Sequence, residues 1–291
     1  MEGNRPLFYS GANTGLIYSA AIGIYFLLAF VGQSILGAFL KTTDFWYIAV
    51  NCTFSLIALL SVTIFCSVRS GKKLSFYTSF KVSPIVYLSS VFLAAGMFFG
   101  LGFINGLISD LLVKWGANVP AFTVPLNNLW QFFLFLILLA ILPAIIEELF
   151  FRGIIFEVPI NNRWVKYIAV GLVFAVYHSS FTQLVYQFIY GVLLSLIADK
   201  GKSVTPCIIA HLLNNVLVLT LEYLKVEINL FSPYLIAGGI AAIVAAVVLC
   251  EFAARKGKTE KGKSETALFF AYSGLGMAVC LLSMVLSLIK V

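Results

Sequence analysis

Residues 130–157 read WQFFLFLILLAILPAIIEELFFRGIIFE, an apolar run that nevertheless carries two adjacent glutamates and an arginine. A membrane-spanning helix needs about 20 mostly apolar residues. Ionisable side chains are costly in hydrocarbon, so those found there usually face the interior of a helix bundle or a water-filled cavity. The stretch therefore predicts a membrane helix with a polar site on one face.

The rest of the chain has the same character. Of its 291 residues, 61% are hydrophobic and 11% are charged, whereas a soluble domain has about 45–50% apolar and about 25% charged residues. This composition predicts an all-α polytopic membrane protein, a bundle of about eight or nine transmembrane helices that forms a single transmembrane domain over residues 1–291. The candidate spans lie at about 15–40, 47–68, 84–109, 130–157, 164–180, 182–198, 203–222, 231–252 and 266–289. The fifth and sixth are short, which is also typical of a broken or re-entrant pair.

The basic residues are distributed asymmetrically between the loops. If the N-terminus is cytoplasmic, fifteen of the nineteen Lys and Arg residues fall in cytoplasmic segments, as the positive-inside rule requires. This distribution accounts for the net charge of +7 without a nucleic-acid partner. The basic run Arg255–Lys263 is either a solvated loop or a segment that attracts anionic lipid. The five cysteines form no CxxC pair and are expected to be small buried apolar residues.

Only two histidines occur in the chain, His178 and His211, and both lie in apolar runs. Counting about 1.5 Å per residue from the cytoplasmic end of each predicted span places Glu147, His178 and His211 roughly 15, 21 and 12 Å deep. The hydrocarbon layer is about 30 Å thick. Three helices therefore place ionisable groups at a similar depth, which predicts one shared functional site.

Helical geometry separates the two adjacent glutamates. Glu147 and Glu148 point about 100° apart, and Glu148 lies four residues before Arg152, the favoured order for an ion pair within a helix. We therefore expect Glu148 and Arg152 to form a structural pair. Glu147 then has no partner within its helix, which suits a general base. A satisfied buried acid or an ion ligand is the alternative interpretation of Glu147.

The spacing around each histidine supplies further site residues. Phe174 lies four residues before His178 and is expected to stack beneath it, and His211 and Asn215 share one helical face. An amide such as that of Asn215 can donate a hydrogen bond to a developing oxyanion. The neighbouring Asn214 points elsewhere and is expected to form a hydrogen bond between helices.

These three patterns, EExxxR, FxxxH and HxxxN in this order, resemble those of the CAAX-protease and bacteriocin-processing family (CPBP, or Abi) of intramembrane proteases. The resemblance covers about residues 130–222, which we regard as the catalytic core. It implies an integral protein of a prokaryotic cell membrane that hydrolyses peptide bonds. It also implies that Glu147 activates water, that His178 helps to hold this water, and that His211 and Asn215 stabilise the oxyanion.

Cofactor and substrate are less closely defined by the sequence. A mechanism with no cofactor is the prediction, and zinc bound by Glu147, His178 and His211 is the alternative. Expected partners are the lipid bilayer and a membrane-associated peptide or protein substrate. Two other functions remain open: an ion- or proton-coupled transporter, which the absence of inverted repeats disfavours, and a catalytically silent bacteriocin-immunity membrane protein.

Overall fold

The computed structural model of the protein describes residues 8–119, 124–253 and 263–289. Within these ranges the chain forms nine long helices and no β-strand, which confirms the all-α fold. We number them α1 Gly11–Gly37, α2 Phe45–Ser70, α3 Pro84–Lys114, α4 Leu129–Glu157, α5 Arg163–Tyr177, α6 Phe181–Gly201, α7 Thr205–Leu224, α8 Pro233–Phe252 and α9 Thr266–Leu288.

Eight of these helices are long and apolar enough to cross a membrane, so the chain is an integral membrane protein. The exception is α5, which has 15 residues and is therefore about 22 Å long. It ends where Ser179 adopts a left-handed backbone conformation, with φ of 49°, and the chain reverses into α6 at Phe181. Of the two short predicted spans, the sixth is thus a full-length helix and only the fifth is short.

The loop segments predicted to be cytoplasmic meet at one end of the bundle, which we call the basic end. Lys72 forms an ion pair with Glu157 at 2.6 Å, and the backbone N–H of Glu265 donates to the carbonyl of Pro159 at 3.0 Å. At the opposite end, the N–H of Asn118 donates to the carbonyl of Leu288. The described residues do not include Arg5, Lys290 or residues 255–262, which form most of the basic run Arg255–Lys263.

The helices pack in nested pairs around the middle of the chain. Helix α5 packs on α6, α4 on α7, and α3 on α8, and the first helix α1 packs on the last helix α9. Small residues allow close approach of two helices in a membrane. At the α3–α8 contact, a Cβ added to Gly239 would lie 2.1 Å from the backbone nitrogen of Gly100. Helix α4 also contacts α1, α2, α5 and α6, so its side chains occupy the centre of the bundle.

Helix α4 is not a regular α-helix. The α-helical segment Leu142–Glu148 lies between two π-helical segments, Leu136–Ile141 and Leu149–Ile154. The N–H of Leu142 accordingly donates to the carbonyl of Ile137, five residues back. Such π segments occur frequently at functional sites. The first of them ends just before Pro143, which has no N–H to continue an α-helical hydrogen-bond pattern.

Candidate active site

The carboxylate of Glu148 joins α4 to α7 inside the bundle. One oxygen, Oε1, accepts a hydrogen bond from Arg152 Nη1 at 2.9 Å and another from His211 Nδ1 at 2.9 Å. The side chains of Glu148 and Arg152 are both 0% exposed. The ion pair expected from the spacing is therefore present, and it also fixes the ring of His211. Because Nδ1 donates to a carboxylate, His211 presents its other nitrogen, Nε2, away from this contact.

Glu147 points toward a different histidine. Its Oε2 lies 3.8 Å from His178 Nε2, beyond hydrogen-bond distance, and this buried oxygen has no hydrogen-bond partner among the described residues. The other ring nitrogen of His178 lies 2.8 Å from the carbonyl of Phe174. Since a carbonyl can only accept, His178 Nδ1 carries the proton and Nε2 can accept a hydrogen bond in the neutral ring. Two acceptors thus face one another across a short gap.

The ring of Phe174 separates the two histidines and covers the arginine. Its centroid lies 4.7 Å from that of His178 and 6.1 Å from that of His211. The Arg152 Cζ lies 4.3 Å from the same centroid, a distance at which the ring attracts the cation. The expectation that Phe174 stacks under His178 was wrong in its geometry, because the two rings meet edge to face at 70°.

Asn215 lies near the site but is held by the backbone of α4. Its Nδ2 donates to the carbonyl of Leu139 at 3.2 Å, which lies in the first π segment. In an α-helix that carbonyl would accept from residue 143, but Pro143 has no N–H. An amide has two donor hydrogens, so one remains for another acceptor. Asn214 accepts a hydrogen bond from Tyr186 of α6 at 2.7 Å, the contact between helices expected from its direction.

Four polar atoms in this region are buried and have no hydrogen-bond partner within the described part of the chain. They are Glu147 Oε2, Glu148 Oε2, Arg152 Nε and the hydroxyl of Tyr190. Buried polar groups are normally paired, so such a cluster requires an explanation. The ring of Tyr190 lies 6.0 Å from that of His211. Tyr190 was missed in the sequence because a tyrosine in an apolar helix has no distinguishing pattern.

The alternative interpretation of the site is a zinc ion bound by Glu147, His178 and His211. Among the described residues, no group of three or more His, Cys, Asp or Glu side chains is placed to hold a metal ion. His211 Nδ1 is engaged by Glu148 and His178 Nδ1 by a backbone carbonyl. These contacts leave Nε2 of each ring free.

An all-helical membrane bundle with carboxylates and imidazoles at its centre is typical of proteins that carry out chemistry or transport inside the bilayer. Residues 129–217 match the family model described as Type II CAAX prenyl endopeptidase Rce1-like. This match agrees with the resemblance carried by the three motifs, and it includes every predicted site residue from Glu147 to Asn215. No curated protein and no solved structure matched the chain.

Proposed function

We propose that the protein is an intramembrane endopeptidase that hydrolyses a peptide bond of membrane-associated peptides or proteins, with no metal cofactor. The observation that carries this proposal is the unpartnered Glu147 Oε2, which faces His178 Nε2 at 3.8 Å within a buried polar cluster. The family match favours hydrolysis over the transporter and immunity alternatives.

In the proposed reaction, a water molecule donates one hydrogen to Glu147 Oε2 and the other to His178 Nε2. Two acceptors 3.8 Å apart can both bind a single water molecule. Glu147 takes a proton from this water molecule as the water oxygen attacks the peptide carbonyl carbon. Glu147 then returns the proton to the leaving amine as the C–N bond breaks. This single carboxylate thus acts first as general base and then as general acid.

The negative charge that develops on the carbonyl oxygen requires donors. His211 can donate from Nε2 when both ring nitrogens carry protons, and the Glu148 carboxylate at Nδ1 balances that charge. Asn215 has an amide hydrogen beyond the one given to Leu139. Preorganised donors of this kind are often the largest single contribution to catalysis. Glu148 and Arg152 are assigned as positioning residues, because they act through His211.

The proposed location of the site follows from the charge distribution. The basic end faces the cytoplasm under the positive-inside rule, with the N-terminus on that side. Glu147 lies ten residues before the end of α4 at Glu157, or about 15 Å from the basic end. Substrates would then reach the site from within the membrane of a prokaryotic cell.

The test is turnover of a defined peptide by the purified protein. The matching family description names prenylated CAAX substrates, so the probe is a quenched fluorescent peptide with a CAAX-type C-terminus, prepared with and without a farnesyl group. Glu147→Gln should lower turnover by about 10²–10⁴-fold at an unchanged unfolding temperature. Glu227→Gln, the same change at an exposed position, should retain wild-type turnover. Wild-type turnover by Glu147→Gln, or none of either peptide by the wild type, would contradict the proposal.

A further inference from the structure

A cavity of about 580 Å³ lies between α1 and α2, at the end of the bundle opposite the basic end. Exposed Thr42 and Thr43, in the loop between these helices, line its mouth, with Val124 and Pro125 beside them. We call this cavity the polar cleft. Among the described residues that line it, none belongs to the candidate active site. The cleft is therefore a separate feature of the molecule.

The lining of the cleft is polar but uncharged. Hydrogen-bonding side chains of α1 and α2 line it, among them Tyr25, Gln33, Asn51 and Ser55, and none of the described lining residues is Asp, Glu, Lys, Arg or His. Polar side chains in membrane helices usually face the bundle interior or a water-filled cavity. Neutral donors and acceptors suit water, whereas an ion would lack a compensating charge. Because a water molecule takes about 30 Å³ in the liquid, the cleft can hold a connected group of them.

The inner end of the cleft lies at the depth of the candidate active site. Ser55 is fifteen residues before the end of α2 at Ser70, and His178 is fifteen residues after the beginning of α5 at Arg163. At about 1.5 Å per residue, both are about 22 Å from the basic end. The cleft therefore extends from the opposite end of the bundle down to the level of His178.

Tyr177 lies between the cleft and the proposed catalytic pair. Its hydroxyl interacts with that of Ser55, and its ring centroid is 6.4 Å from that of Tyr25. On its other side, the same ring is 5.3 Å from the ring of His178. The side chains of His178 and Glu147 are 16% and 9% exposed, so space for a water molecule adjoins both. A path from the cleft to this space therefore passes beside Tyr177.

We propose that the polar cleft is filled with water and supplies the water molecule consumed in each hydrolysis, which passes beside Tyr177 to Glu147 and His178. The oxygen of this molecule ends in the new carboxyl group, and one of its hydrogens ends on the new amine. A substrate that enters from the hydrocarbon brings no water with it. A separate aqueous path lets the substrate occupy the site without shutting water out. This inference rests on the proposed peptidase function and adds the source of its second reactant.

The first experiment measures whether the cleft is wet and requires no turnover. An X-ray pulse generates hydroxyl radicals from water, these radicals modify the side chains beside them, and mass spectrometry identifies the modified residues. In the full chain in phosphatidylcholine nanodiscs, Tyr25 should be modified several times faster than Tyr18. Tyr18 lies in the same helix, is 0% exposed and does not line the cleft. Equal rates at the two tyrosines would show a dry cleft and overturn the proposal.

Variants then test whether this water reaches the reaction. Ser55→Leu and Asn51→Leu each place an apolar side chain in the cleft, and each should lower kcat several-fold at an unchanged KM and an unchanged unfolding temperature. Ser55→Leu should also slow the radical modification of Tyr177. The control, Ser61→Leu, makes the same change at an exposed position of α2 outside the cleft, and it should keep the wild-type kcat.

Two kinetic results would overturn the proposal. One is a wild-type kcat in both cleft variants. The other is a raised KM at an unchanged kcat, which would assign the cleft to binding of the peptide substrate. Because radical modification needs no turnover, a dry cleft is distinguished from a failure of Glu147→Gln to lower turnover, which would contradict the proposed function instead.

Discussion

Glu148 uses a single carboxylate oxygen to hold both Arg152 and His211. The ring of His211 is therefore oriented by a charged group that the arginine itself orients. Metal-free and metal-dependent sites alike use such outer contacts to fix the tautomer of a histidine. A change at Glu148 should consequently affect both the packing of α4 and the direction of His211.

Removing one member of this buried pair should lower stability. Loss of one partner of a buried ion pair costs about 3–5 kcal/mol, because the other charge is left uncompensated. Glu148→Gln and Arg152→Ala are each expected to lower the unfolding temperature in detergent. Tyr190→Phe is the control within the same cluster. It removes an unpaired buried hydroxyl, so its stability should be unchanged or slightly higher.

Two results would contradict this assignment. If Glu148→Gln kept normal stability and lost all turnover, then Glu148 rather than Glu147 would act as the base. If Tyr190→Phe were as destabilised as Arg152→Ala, the tyrosine hydroxyl would have a partner of its own.

Removal of metal ions tests whether the proposed site works without a metal cofactor. Because the described side chains do not converge on a metal ion, we expect turnover to persist after chelation and dialysis. Asn215→Ala should be more damaging, since loss of one oxyanion donor costs about 10²–10³-fold in a well-studied protease. Stoichiometric zinc in the active protein, with activity lost on chelation and restored by zinc, would replace this mechanism.

At the scale of the element, the first π segment of α4 and Pro143 explain the position of Asn215. The proline removes the donor that would otherwise bond to the carbonyl of Leu139, and the amide of Asn215 occupies that acceptor. Pro143→Ala would restore an N–H at this point. The asparagine and the restored N–H should then compete for one carbonyl.

This competition predicts non-additive stabilities. Asn215→Ala alone should cost about 1 kcal/mol by leaving a half-buried carbonyl short of a donor. In the Pro143→Ala background the same change should cost less, because the new backbone N–H supplies the bond. Equilibrium unfolding of the wild type, both single variants and the double variant measures the coupling energy. Strict additivity would show that Leu139 does not link the two residues.

Spacing predicted the contacts that form within one helix and missed those that form between helices. Glu148 and Arg152 meet because four residues make about one turn. The hydrogen bond from His211 to Glu148 depends on how α7 is rotated relative to α4. Residue spacing within either helix does not determine that rotation. The same reason explains Asn215, whose contact with Leu139 depends on π segments that apolar residues do not signal.

At the scale of the molecule, apolar run lengths predicted nine helices and the structure contains nine within its described ranges. The fifth predicted span ends at residue 180, whereas α5 ends at Tyr177 because the backbone turns at Ser179. Amino-acid composition does not reveal a residue with a left-handed backbone conformation, whereas charged residues in the loops do mark the ends of the helices. This is why the segments predicted to share one side do meet at the basic end.

Their side of the membrane is tested by labelling single cysteines. In a background without the five native cysteines, Ser75→Cys at the basic end should react only from the cytoplasm. Asn118→Cys at the opposite end should react with an impermeant reagent added outside. Both positions are exposed, so access to each thiol depends on the side alone. Reaction of Ser75→Cys from outside would invert the proposed orientation.

The nested pairing of helices also has a consequence for biosynthesis. The hairpin α5–α6 can close as soon as both helices have been made, and α4 and α3 then gain α7 and α8 in turn. Helix α1 is the first to leave the ribosome, yet the serine it offers to α9, Ser19, bonds to Tyr272 and Gly276 near the end of the chain. Helix α1 can pack on α2 as soon as both have been made, but its contact with α9 can form only when the whole bundle has been synthesised.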